Sequence, residues 1–160
     1  MAQIVRECID DLRLVIDSME PIDDDLLALL GSLRYRLEPR LNAAGIRLVW
    51  QVRELPPLPN LTPRNVLHIL RVLQEALTNV LKHAGATRIT VNTGIDEAAG
   101  WALITVADDG HGFVPEAEHG NRLPGRGIGN MRRRAEAVGG AITVDSGPQG
   151  TRITLGLPLR

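Results

Sequence analysis

The chain has little of what several classes of protein depend on. It carries one cysteine, Cys8, in 160 residues. That excludes an internal disulfide and a cysteine-built metal cluster, and it suits a reducing compartment. Cys8 itself reads as a small packing residue within a helix. Aromatic residues make up 2% of the chain, so Leu, Ile, Val and Ala must fill the core. The same scarcity argues against a nucleic-acid surface built on base stacking. Charge of one sign is lacking too: a net charge of -1 leaves no basic excess to hold a polyanion. The only basic run, Arg132-Arg133-Arg134, reads as a solvated helix face; a sharper alternative is that part of it holds phosphates or an acidic partner. No apolar run approaches the ~18 residues of a membrane span. Residues 1–10 lack the apolar core of a signal peptide. The chain opens in mid-helix without a cap, which reads as a piece of a longer protein.

What is present is ordinary for a globular domain: 44% apolar and 23% charged residues, enough for one domain with a sizeable core. Apolar residues at helical spacing predict a helix over 3–19, ended by Pro21, and a second over about 24–43, capped by Asp23 to Asp25, with Pro39 as a possible kink and Gly45 as its stop. Ile46 to Val52 alternates as a strand. A Pro-rich loop follows, and Thr62-Pro63 is a helix start with Thr as N-cap and Pro in the first turn. That third helix runs to about Ala84. Strands are expected over 88–93 and 101–107 around a turn at Asp96–Gly100. Residues 108–125 read as loop, and Gly127 opens a helix to about Val138, stopped by Gly139-Gly140. Two strands, 141–146 and 151–157, close the chain around Gly147-Pro148-Gln149-Gly150. Paired strands among long helices point to a two-layer α/β (α+β) sandwich: a mixed sheet with helices on one face.

Four short pieces carry the chemistry. On the third helix Glu75, Asn79 and His83 recur every four residues and so line one face, with Lys82 beside them. An Asn amide oxygen suits a hard cation such as Mg²⁺; a carboxylate one turn earlier can take or orient a proton. Lys82 and His83 can meet phosphate oxygens. The second piece, Asp108-Asp109-Gly110-His111-Gly112, follows an apolar strand. A carboxylate there can accept from an exocyclic amine such as adenine N6, and the glycines allow close approach to a flat base. The third, Gly125-Arg126-Gly127-Ile128-Gly129, offers glycine amides at a helix entry to phosphate. The fourth is Gly150-Thr151. Neither a Walker A loop nor a dinucleotide fingerprint is present. Each piece alone has a bland reading: a wet helix face, an Asp-Gly turn, a flexible linker.

Together, over roughly residues 24–160, these motifs resemble the ATP-binding catalytic domain of bacterial two-component sensor histidine kinases, in the superfamily shared with DNA gyrase, Hsp90 and MutL. Gln74 to Ala84 resembles the family's N box, Asp108 to Gly112 its G1 box, Gly125 to Gly129 its G2 box, and Gly150-Thr151 its late Gly-Thr element. The endings Lys82-His83-Ala84 and Gly129-Asn130-Met131-Arg132 resemble the nitrate-sensor (NarX-like) subgroup. The resemblance implies the Bergerat-type sandwich, with ATP between the third helix and a lid over about 113–126. It implies Glu75 and Asn79 as catalytic groups, Asn79 with Glu75 as the Mg²⁺ set, and Lys82 and His83 on phosphates. Asp108 would read adenine N6, Gly110 and Gly112 would shape the base pocket, and Gly125, Gly127, Ile128 and Gly129 would line the phosphates. Thr151 would lie on the adenine side. The implied partners are ATP and ADP, a histidine-bearing dimerisation domain, and a response regulator of the helix-turn-helix output class. Nucleic acid is not among them, and this piece makes no membrane contact. It is expected in the cytoplasm, with an inner-membrane anchor elsewhere in the parent left open.

The family's acceptor histidine has no counterpart: His68, His83, His111 and His119 sit in other settings. His68 reads as a plain helix residue. Nor is the family's separate F box recognisable. Residues 1–20 resemble the tail of a second dimerisation helix, leaving 21–160 as the catalytic domain. Alternatives are an ATPase clamp of the mismatch-repair kind, a protein serine kinase of the anti-sigma type, and a non-catalytic nucleotide-binding module.

Overall fold

A few local signals set the element boundaries. The computed structural model describes residues 5, 6, 9, 26–59, 61–83, 85–112 and 126–160. Beyond Ile9, the described residues form three helices, α1 (Leu26–Ala43), α2 (Pro63–His83) and α3 (Arg126–Ala137), and five strands: β1 (Arg47–Gln51), β2 (Arg88–Asp96), β3 (Trp101–Asp108), β4 (Ala141–Gly147) and β5 (Gly150–Pro158). Val5, Arg6 and Ile9 are helical. The rest of the helix expected over 3–19, Cys8, the acidic cap at 23–25, His119 and the loop from Phe113 to Gly125 lie outside the described residues.

Helix α2 begins as its sequence predicts. Thr62 is the N-cap: its Oγ1 accepts from Asn65 N at 3.2 Å and its carbonyl from Val66 N at 2.9 Å. Pro63, with no N–H to satisfy, takes the first helical position. Helices α1 and α3 end alike. Gly45 (φ 76°) and Gly139 (φ 74°) adopt the left-handed conformation. The next residue's N–H turns back to a carbonyl five residues earlier: Ile46 to Leu41 at 2.9 Å, Gly140 to Ala135 at 2.8 Å. These are Schellman caps, and glycine takes the left-handed position without a Cβ penalty. Pro39 sits inside α1, which continues through it to Ala43.

The strands form one sheet in the order β1-β2-β3-β5-β4. β1 runs parallel to β2, joined through α2; β2–β3, β3–β5 and β4–β5 are antiparallel. β2 reaches three residues past its expected end, to Asp96, because the turn is only Glu97 to Gly100. Alternation along the strands defines a covered face. Ile89, Val91, Ala102, Ile104, Val106, Ile153, Leu155 and Leu157 are buried there, against Leu26, Leu30, Leu33, Leu37 and Leu41 of α1, Val66, Leu70, Leu73, Leu77 and Val80 of α2, and Met131 and Ala135 of α3. The other face carries Thr90 and Asn92 on β2, Trp101, Leu103, Thr105 and Ala107 on β3, Thr154 on β5 and Thr143 on β4. This is the two-layer sandwich that the pairing of strands and helices predicts.

Asp109 ties the end of β3 to the start of β2. Its carboxylate accepts from Thr87 Oγ1 at 2.6 Å, Thr87 N at 2.8 Å and Arg88 N at 2.9 Å. The Thr87 hydroxyl, then the two backbone N–H groups, hold its pKa below the ordinary aspartate value.

Two predictions follow from these boundaries. A Cβ at Gly140 would run into the Gly156 carbonyl, whereas one at Gly31, exposed on α1, meets nothing within 4 Å. In thermal melts Gly140→Ala should therefore lose about 2 kcal/mol or more, while Gly31→Ala should gain up to about 1 kcal/mol; equal effects would refute the steric account. Because the Asp109 pKa is depressed on folding, its contribution is full above the unfolded value and fades as pH falls through the folded one. The melting-temperature gap between the native chain and Asp109→Asn should hold from pH 7 to about 5 and close below about pH 4. A gap unchanged at about pH 2.5 would show that the carboxylate charge plays no part.

Candidate nucleotide site

The expected polar groups come together at one end of the sheet, on its covered side. Register explains how. Ile89 pairs with Asp108 across β2 and β3. The β3–β5 ladder, Ala107 opposite Arg152, continues to set Asp108 beside Thr151. Thr151 in turn pairs with Ser146 on β4. Parity does the rest: Asp108 shares its face with Ile104 and Val106, Thr151 with Ile153 and Leu155, Ser146 with Ile142 and Val144. Three oxygen-bearing side chains thus form one cross-strand row where the apolar rows end.

Asp108 caps its own turn, its Oδ1 accepting from Gly110 N at 2.8 Å. This leaves the second carboxylate oxygen to other donors. Gly110 is buried. Gly112 adopts φ 68°, and a Cβ there would collide with the Gly147 carbonyl and lie 3.0 Å from Ser146 Oγ. Gly150 (φ 133°) faces the Asp108 carbonyl as closely. The Asp108–Gly112 turn is therefore pressed backbone to backbone onto the β4–β5 hairpin, and Gly112 owes its lack of a side chain to that contact. Thr151 is buried, and its hydroxyl lies 2.8 Å from Ser146 Oγ. His111 is exposed, its Nδ1 3.0 Å from the Gly112 carbonyl and its ring against Gly85, the left-handed glycine after α2.

The second wall is α2 with α3 against it. Val66, Leu70, Leu73, Leu77 and Val80 face the core, as their spacing predicts. Glu75 and Asn79, half-buried on the neighbouring face, look toward the first turn of α3. A Cβ on Gly127 would come within 2.6 Å of Glu75 Oε1 and 3.5 Å of Asn79 Nδ2. A helix entry without a side chain at this point lets α3 approach the carboxylate. Ile128 is half-buried against the core and Gly129 is exposed, with open space where a side chain would stand. Lys82 is exposed on the last turn of α2, which also carries His83. Gly125 lies outside the described residues.

Further up α2 the same side of the helix turns basic. His68 stands one turn from Arg64 and from Arg71, and Arg134 of α3 is near enough for its charge to bear on it. Burial first, then Arg134, Arg64 and Arg71, push the imidazole pKa below its ordinary value. Its Nδ1 is shut from water without a hydrogen-bond partner, more than the plain helix residue its sequence suggests. Within the basic run, Arg134 is half-buried while Arg132 and Arg133 are exposed, and Arg133 bonds Asn130 on its own helix.

Of the residues singled out from sequence, Asp108, Gly110, Gly112 and Thr151 thus form one wall, and Glu75, Asn79 and Gly127 the other. Ser146 was missed. Its signal is positional: it is the one hydroxyl among the inward residues of β4, visible only once β4 is known to pair with β5 in this register.

Among the described residues no helix is long and apolar enough to cross a membrane. Among solved structures, the chain is similar to the histidine kinase domain of the blue-light activated histidine kinase of Erythrobacter litoralis EL346 (TM-score 0.70, 19% identity, covering 94% of this chain and 77% of that one). It is also similar to full-length ShkA in complex with AMPPNP (TM-score 0.67, 23% identity, 94% of this chain and 35% of that one). At these identities the likeness is one of fold. In sequence it is 32% identical to the signal transduction histidine-protein kinase/phosphatase UhpB of Salmonella typhimurium, over 94% of this chain and 29% of that protein. It is 29% identical to the sensor histidine kinase DesK of Bacillus subtilis, over 98% of this chain and 38% of that protein. The chain spans about a third of the length of these curated relatives. Residues 64–160, which hold both walls of the site, match the family described as histidine kinase-, DNA gyrase B- and HSP90-like ATPase, and the chain belongs to that family.

Proposed function

We propose that this chain is the catalytic module of a sensor histidine kinase: it binds Mg-ATP and passes the γ-phosphoryl group to a histidine on a separate dimerisation domain. The observation that carries the reading is the meeting of Glu75 and Asn79 with the glycine entry of α3. With the Asp108–Thr151 row on the sheet, base, phosphate and metal functions then fall on different elements.

Asp108 takes the adenine amine, and Thr151 lies on the same edge of the base. The phosphates run toward Gly127 and Gly129 at the N-terminus of α3, where backbone N–H groups and the helix dipole favour negative charge. Lys82, His83 and Gly125 belong to the same phosphate set. The donors fit a magnesium ion that arrives with the nucleotide. Glu75 and Asn79 offer hard oxygens one turn apart on α2, and no group of three or more acidic, His or Cys side chains able to hold a metal exists among the described residues. Magnesium keeps waters and substrate phosphates as its other ligands, so Asn79, with Glu75, is a sufficient protein contribution. Bound there, the ion would neutralise charge on the phosphate oxygens.

In the transfer, a nitrogen of the acceptor imidazole forms the new bond to γ-phosphorus as the bond to the β–γ bridging oxygen breaks, and ADP leaves. Glu75 accepts the proton the imidazole gives up. The acceptor would come from the dimerisation domain of the parent kinase, and the product phosphate would pass on to a response regulator with a helix-turn-helix output domain.

Asn79→Ala should reduce Mg-dependent transfer to dimerisation helices supplied in trans by at least about a hundredfold, while adenosine binding without metal, followed by calorimetry, stays near the native value; equal loss of both would sink the assigned role. Asp108→Asn should weaken ATP about ten- to a hundredfold, as for a hydrogen bond to a charged group, and leave GTP little changed. An unaltered base preference would count against the adenine assignment.

A further inference from the structure

The Ser146–Thr151 pair has a direction that matters. Each hydroxyl has one proton and two lone pairs. At 2.8 Å one of them donates to the other. If Thr151 donates, its proton is spent inside the protein and it offers only lone pairs to a neighbour. If Ser146 donates, the Thr151 proton is available and is polarised by the bond it accepts. Ser146 lies inward on β4, next to Gly112, where a Cβ would stand 3.0 Å from its Oγ.

The row also contains Asp108, whose ionised carboxylate only accepts. An acceptor at Asp108 and a donor at Thr151 complement the edge of adenine, with its N6 amine and N1 lone pair. Guanine and hypoxanthine present the reverse, an O6 acceptor and an N1–H donor, and both contacts would fail. Two acceptors side by side would not discriminate in this way.

We infer that Ser146 is a specificity-determining positioning residue, which by donating to Thr151 Oγ1 turns the Thr151 proton toward the base seat and so fixes the site for adenine. The inference rests on the proposal that Asp108 and Thr151 hold a nucleobase.

The test is calorimetric titration of the 160-residue chain with ATP, GTP and purine riboside triphosphate, which keeps N1 and lacks the N6 amine. Native chain, Ser146→Ala, Ser146→Thr and Asp108→Asn are compared. Ser146→Ala should weaken ATP and purine riboside triphosphate by the same factor, about fivefold for one oriented hydrogen bond, with GTP unchanged or slightly tighter. Ser146→Thr, which restores the hydroxyl, should recover both. Asp108→Asn should weaken ATP but not purine riboside triphosphate. A Ser146→Ala chain that binds all three nucleotides more weakly by one common factor has lost structure and not selectivity, and overturns the inference. So does a Ser146→Ala chain with the native ATP-to-GTP ratio while Asp108→Asn shifts it, an outcome that leaves the base reading intact. A native chain without preference for ATP over GTP removes both.

Discussion

The site depends on two places where backbone meets backbone with no room for a Cβ. Gly112 lies on the Gly147 carbonyl and Gly150 on the Asp108 carbonyl. Through them the turn after β3 and the β4–β5 hairpin lock against each other, from both sides, at the point where Asp108 and Thr151 share a row. Any side chain at either position must push the two strands apart. Strand parity then sets the face on which the polar side chains stand, and the Asp108–Gly110 and Ser146–Thr151 hydrogen bonds hold them there. The same economy recurs at Gly127, where the absence of a side chain lets the entry of α3 come up to Glu75.

The two walls are built on different logic. The sheet wall is set by ladder register, which is rigid, and its groups come from three strands in a fixed order. The helix wall is set by the spacing of four along α2: a single amphipathic helix places its apolar stripe in the core and turns Glu75 and Asn79 to the entry of α3. Moving along that face, carboxylate and amide give way to Arg71, His68 and Arg64, so one helix presents a carboxylate–amide end and a basic end. Desolvation, then the guanidinium groups of Arg134, Arg64 and Arg71, lower the pKa of His68.

Much of this was legible in the sequence because the signals are local. Thr62-Pro63 gives the start of α2, Gly45 and Gly139 the stops of α1 and α3, and the Glu75–Asn79 spacing the polar face. What escaped was non-local. The strand expected over 88–93 falls short of the observed end of β2 because the turn signal at Asp96–Gly100 is local, and only the ladder with β3 carries the strand to Asp96. The insertion of β5 between β3 and β4 brings together segments far apart in the chain, and no periodicity encodes it. Ser146 was invisible for that reason. Gly112 was read as space for a flat base, a local inference from composition; the contact that forbids a side chain there is with a hairpin more than thirty residues on, at Gly147.

The order of the strands has a consequence for folding. β2–β3 and β4–β5 are each hairpins of neighbouring segments, able to close early on short loops. The β3–β5 ladder is the seam along which these two halves dock, and it forms after a much longer loop has closed. Asp108 stands on one side of that seam and Thr151 on the other. A molecule held by both residues clamps the halves together, so occupancy of the site and docking of the halves are thermodynamically linked, and ligand shifts the equilibrium toward the docked chain by mass action.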